Sequence, residues 1–111
     1  MSDKDFLIFI KHILESIENI ELFMKNVEKS KFLKDKEKQS AVVRQIEIIG
    51  EAVKNLPPSF TKKYPDVSWK EIVGTRDKMI HHYFGVDLEV VWDIVKEDLP
   101  SLKSQIEKIL T

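Results

Sequence analysis

Residues 5–28 read DFLIFIKHILESIENIELFMKNVE, and the apolar positions in this stretch decide the fold. Phe6, Ile10, Ile13, Ile17, Ile20, Met24 and Val27 step by alternating fours and threes, the spacing of one face of an α-helix. Leu7, Leu14 and Phe23 widen that line into the broad stripe with which a helix buries itself in a bundle. Just upstream, Ser2-Asp3-Lys4-Asp5 has the form of a capping box. The first helix is therefore expected to start there and run to about Glu28. His12 sits beside the stripe and reads as a boundary residue.

The same period returns twice further along. Val42, Ile46, Ile49, Val53 and Leu56 place a second helix over about Asp35 to Leu56, ended by Pro57-Pro58. Gly50 lies in its interior, where it costs roughly 1 kcal/mol relative to Ala. The compensation expected is close approach of a neighbouring helix. Arg44, Glu47 and Glu51 share one flank of this helix, either as surface ion pairs or as the polar wall of a site. Leu88, Val91, Val95, Leu99, Leu102, Ile106 and Ile109 hold helical phase across Pro100, so the last helix is expected to be kinked or briefly interrupted there.

Between these stretches, Lys29 to Lys38 carries five lysines around Phe32 and Leu33 and reads as a solvated connection. Ser59 to Val67 reads as a crossing loop. Ser68-Trp69-Lys70-Glu71 is a second capping box, opening a short helix that Gly74 closes, after which Thr75 caps a new helix. Trp69 and Ile72 are expected to plug one end of the core, and Trp92 to pack over the helix that starts at Thr75. The expected architecture is all-α: an antiparallel bundle of four main helices plus one short helix, formed by residues 1–111 as a single domain.

Composition narrows the chemistry. Hydrophobic residues make up 42% and charged residues 33%, the balance of a globular chain. The absence of cysteine excludes disulfides and thiolate metal sites. The formal net charge of −1 argues against a protein that coats nucleic acid, so any RNA contact must use a local patch. Phe6 to Ile10 is too short an apolar run, and wrongly flanked, for a signal peptide. No window approaches the roughly 18 apolar residues of a membrane span. A cytoplasmic protein that binds no membrane is expected.

Chemistry concentrates in Arg76-Asp77-Lys78-Met79-Ile80-His81-His82-Tyr83, which holds two of the three histidines and one of the few arginines. Arginine presents a planar fork of donors suited to phosphate or carboxylate, and histidine moves protons near neutral pH. On an ideal helix Arg76 and Tyr83 share a face, whereas His81 lies roughly 140° from Arg76. Either the helix unwinds near His81 or a two-fold axis brings in a second copy of the segment. Asp77 and His81, four apart, do share a face, so Asp77 can orient His81 and raise its pKa. Given an RNA substrate, a neutral His81 can take the proton of a ribose 2′-hydroxyl while Arg76 stabilises charge growing on the phosphoryl oxygens. Neither a metal nor any other cofactor is called for. A solvated surface, a histidine metal pair and an aromatic interface plug at Tyr83 and Phe84 are the competing readings. Neighbouring His81 and His82 point about 100° apart on a helix and do not chelate together.

The spacing Arg76, four residues, His81, any residue, Tyr83 resembles the signature of HepT-type toxins in the HEPN superfamily of helical ribonucleases. Ile49-Gly50-Glu51-Ala52, Trp69, Gly74-Thr75-Arg76, Tyr83-Phe84-Gly85-Val86-Asp87 and Trp92 extend the likeness from about Arg44 to Leu102. The resemblance implies a helical homodimer whose two motif copies face one cleft. It implies a metal-independent endoribonuclease toxin of a type VII system, with Arg76 and His81 catalytic; Asp77, Glu51 and Arg44 are expected in support from their own placement. It also implies an MNT-type nucleotidyltransferase antitoxin as partner, which attaches AMP to Tyr83. The alternative is a non-catalytic HEPN subunit that binds or regulates its nucleotidyltransferase; a third option is a purely structural helical dimer. Two positions depart from the family pattern: Asp77 stands where Asn is common, and His82 where Asp is frequent.

Overall fold

The first apolar stripe forms α1 (Asp3–Met24), with Ile10, Ile13, Ile17 and Ile20 all but fully buried along one side. The Ser2 amide donates to the Asp5 carboxylate at 2.9 Å and closes the helix start. The helix stops four residues short of the Glu28 expected from its apolar phase. Asn26 has a φ of 59°, a left-handed conformation that a helix cannot continue through, and Val27 reaches the core from beyond the turn. The computed structural model describes residues 2–81 and 86–111, the side chains of Ile80 and His81 excepted.

The lysine-rich connection is more than a solvated loop. It contains α2 (Lys29–Phe32), one turn that drives Phe32 completely into the core. Phe32 meets Trp92 with ring centroids 5.8 Å apart, so Trp92 packs on this turn; the end of the motif helix over which it was expected to pack lies outside the described residues. The Lys96 ammonium covers the Trp92 ring at 4.7 Å. The second stripe becomes α3 (Lys36–Lys54), capped by Asp35, whose carboxylate accepts from the Lys38 amide at 3.0 Å.

Pro57-Pro58 ends α3 as expected, but the crossing loop holds another single turn, α4 (Pro58–Thr61), with Phe60 fully buried against Phe6 and Tyr64. Next comes α5 (Trp69–His81), one continuous helix. Gly74 does not close it. Its φ is not positive, so no left-handed cap forms, and a single interior glycine costs too little to stop a packed helix. Thr75 therefore caps nothing, and its hydroxyl donates back to the Glu71 carbonyl at 2.9 Å. Trp69 and Ile72 pack against the core's edge, the Trp69 indole N–H donating to the Tyr64 carbonyl at 3.0 Å.

The last stripe is one helical rod in two α segments, α6 (Leu88–Asp93) and α7 (Leu99–Leu110), joined by a π-turn over Ile94–Asp98. Pro100 has no N–H to return to the preceding turn, and the widened turn lets the chain pass it without separating two helices. Asp87 caps α6 by accepting from the Glu89 and Val90 amides. Among the described residues there is no strand, and α1, α3, α5 and the α6–α7 rod are the four main helices, with two short turns where one was expected. The core lies where α3 and α7 pack on α1, and α5 packs chiefly on α3.

The single turns carry much of the core. Phe60→Ala is expected to lower unfolding free energy by about 3–5 kcal/mol. Leu22→Ala, at a site 71% exposed, should change it by no more than about 0.5 kcal/mol. Urea unfolding followed by far-ultraviolet circular dichroism measures both.

Candidate active site

The site begins with a missing atom. A Cβ built on Gly50 would overlap Cβ of Arg76 and lie 2.5 Å from its Cγ and 3.3 Å from its Cδ. The aliphatic stem of Arg76 thus lies directly on the backbone of α3, and glycine is the residue that permits it. The close approach expected at Gly50 is this contact. The arginine that results is only 18% exposed in its side chain.

Charges from both helices gather around that guanidinium. Nη1 donates to Asp77 Oδ1 at 3.0 Å, and Nη2 reaches Glu51 Oε1 at 3.5 Å. Glu51 in turn lies 4.0 Å from Arg44 Nη1, which pairs with Glu47 at 3.4 Å. On the other side, Lys54 Nζ approaches the same Asp77 oxygen at 3.3 Å. Arg76 Nε is buried and has no hydrogen-bond partner among the described residues. The hydrogen bond from Arg76, and after it the one from Lys54, hold the Asp77 carboxyl below its ordinary value of 3.8. Asp77 likewise raises Arg76, which stays a cation at any working pH.

The structure therefore brings together Arg76, Asp77, Glu51 and Arg44 of the residues singled out from sequence. His81 is the last residue of α5, five positions after Arg76 on one helix that does not unwind before it. Its side chain lies outside the described residues, and so does Tyr83. The pairing of Asp77 with His81 falls outside them too, and the described partners of Asp77 are Arg76 and Lys54. Sequence reasoning missed Lys54. Its signal was its place four residues after Gly50, on the face where the second helix was expected to be approached.

A cavity of about 420 Å³ lies between α3, α5 and the π-turn, with Ile46, Thr75, Glu97 and Leu102 in its lining, and does not include Arg76. No group of three or more histidine, aspartate or glutamate side chains placed to hold a metal occurs among the described residues. No described helix is long and apolar enough to cross a membrane.

An all-α bundle with an arginine packed at the contact of two helices, one of which runs on to a histidine, is consistent with a HEPN-type helical domain. The family model described as "HepT-like: Ribonuclease HepT-like" matches residues 13–109, and the chain belongs to that family. Among its relatives is the Methanocaldococcus jannaschii protein named "Putative RNase MJ0127", 48% identical over 99% of this chain and 91% of the relative. The Thermococcus cleftensis protein named "Probable ribonuclease HepT" is 50% identical over 97% of this chain and 96% of its own length. A third, "Gamma-glutamylcyclotransferase and putative RNase MJ0434" of M. jannaschii, is 51% identical over 96% of this chain, which spans 48% of that protein. No solved structure matches the chain.

Two outcomes are expected here. Gly50→Ala should destabilise the fold by roughly 1–3 kcal/mol, although alanine is the better helix former. Gly74→Ala, with nothing within 4 Å of the added Cβ, should stabilise it by up to about 1 kcal/mol. Thermal unfolding of the two variants tests the pair. The second concerns pH. Because folding lowers the Asp77 pKa, its ion pairs contribute above about pH 4 and are lost as pH falls through the depressed value. Carboxyl carbon NMR should give a midpoint below 3.8 that rises in Arg76→Ala; a midpoint unaffected by that substitution refutes the pairing.

Proposed function

We propose that the chain is a metal-independent endoribonuclease, the toxin of a type VII toxin–antitoxin pair, working as a homodimer in the cytoplasm. The observation that carries this reading is the seat of Arg76: an arginine whose stem packs on Gly50 and whose outer nitrogens face Asp77 and Glu51, in a member of the ribonuclease HepT-like family. The relatives named as RNases support the same reaction class.

In this reading Arg76 exchanges a carboxylate for an RNA phosphate and stabilises the charge that develops on the phosphoryl oxygens. A neutral His81 takes the 2′-hydroxyl proton, and the 2′-oxygen attacks the adjacent phosphorus. The bond from phosphorus to the 5′-oxygen breaks, that oxygen takes a proton from water, and a 2′,3′-cyclic phosphate remains. Five positions on an unbroken helix separate Arg76 from His81, so a second copy of the motif across a two-fold axis completes each site. Tyr83 is the regulatory position. An MNT-type nucleotidyltransferase would join its phenol oxygen to the α-phosphorus of ATP with loss of pyrophosphate, and the AMP would occlude the phosphate site by charge and bulk.

One observation favours a second reading, a non-catalytic binding subunit for that nucleotidyltransferase. Both outer nitrogens of Arg76 already face carboxylates.

Cleavage of total cellular RNA in excess EDTA separates the two. Wild type should leave cyclic-phosphate ends, and His81→Ala should be slower by about 10²–10⁴-fold. Undiminished cleavage by His81→Ala removes that residue from the mechanism. Inactive wild type of unmodified mass favours the binding subunit, whereas inactivity with added AMP mass is the expected state of the silenced enzyme.

A further inference from the structure

We propose that Lys54 is a positioning residue of the Arg76 site, holding Asp77 on the arginine and offsetting the charge that Asp77 would set against an incoming RNA phosphate. The proposal rests on the ribonuclease reading. Its basis is a single shared atom: Asp77 Oδ1 lies 3.0 Å from Arg76 Nη1 and 3.3 Å from Lys54 Nζ. Lys54 stands one turn beyond Gly50 on α3, so the helix contact that seats Arg76 also delivers the ammonium to the carboxylate oxygen that Arg76 holds.

The charges make the need plain. Arg76 alone faces two carboxylates, Glu51 and Asp77, a local balance of −1 that repels an anion. Lys54 brings the four groups to neutrality. When phosphate enters and Asp77 gives up Arg76, the carboxylate still has a cation beside it, and its charge need not be carried uncompensated against the phosphate. Glu51 is served in the same way, though more distantly, by Arg44 at 4.0 Å. A lysine stem can follow Asp77 through that exchange without moving either helix.

The test sets Lys54→Met and Lys54→Arg beside wild type, each also in an Asp77→Asn background. Affinity for a labelled RNA oligonucleotide, kcat and KM in EDTA, and the carboxyl NMR titration of Asp77 are measured. Lys54→Met should weaken kcat/KM by about tenfold, mostly through KM, and by less than about twofold once Asp77 is Asn. Lys54→Arg should restore most of the loss, and the Asp77 midpoint should rise in Lys54→Met. An equal loss in both backgrounds overturns the proposal, since Lys54 would then act on RNA or on the fold directly. If wild type neither binds nor cleaves RNA, the ribonuclease reading is what fails. The Asp77 titration then decides Lys54 alone: a shift supports its hold on Asp77, and an unmoved midpoint overturns it.

Discussion

The packing of the Arg76 stem on the bare backbone at Gly50 sets the distance between α3 and α5, and most of the site follows from it. With a side chain at Gly50, α5 would stand off and the arginine would be a long surface group with many rotamers. Without one, three methylenes are pressed against the helix and the charged end meets Asp77 and Glu51, an amphipathic side chain used in both its parts. Glu51 and Lys54 are then fixed in place as consequences, one residue and four residues along the same helix. The helix-weakening glycine is offset by this contact, so stability and site geometry rest on one position.

The ion pairs around Arg76 are loose as well as numerous. Their separations run from 3.0 to 4.0 Å, and their members apart from Arg76 and Glu47 are 41–60% exposed. Such pairs contribute little to stability. A buried and tightly satisfied pair would resist an exchange of partners more than these do. The stem is packed, and the charges around it are mostly half exposed. The buried Nε–H with no described acceptor continues the stem that packs on Gly50.

The long apolar stripes were readable because each repeats for several turns, and a repeat at helical spacing survives almost any surface sequence. The glycine contact was readable because an interior glycine needs a reason. Phe32 and Phe60 were not, since a single turn has no period and each lies among polar or turn-forming residues that read as loop. Gly74 misled because glycine marks helix ends only where the backbone turns left-handed, a property that residue type alone does not reveal. Lys54 was hidden for another reason. Pairs along one helix follow from counting, whereas a pair between helices depends on their separation and rotation. Gly50 announced the close approach of a helix but not that Arg76 of the motif makes it; His81 and Tyr83 lie outside the described side chains.

The bundle's connectivity divides the chain into unequal cooperative units. Helix α1 is braced along its length by α3 and α7, with Lys103 Nζ 2.8 Å from Glu21 as an outer tie, while α5 leans chiefly on α3. Opening α1 requires breaking the core, but opening α5 requires breaking principally one helix contact. The motif helix is thus tied into the bundle principally through one helix contact, and amide exchange along it is expected to respond to a change at Gly50 more than exchange along α1 does.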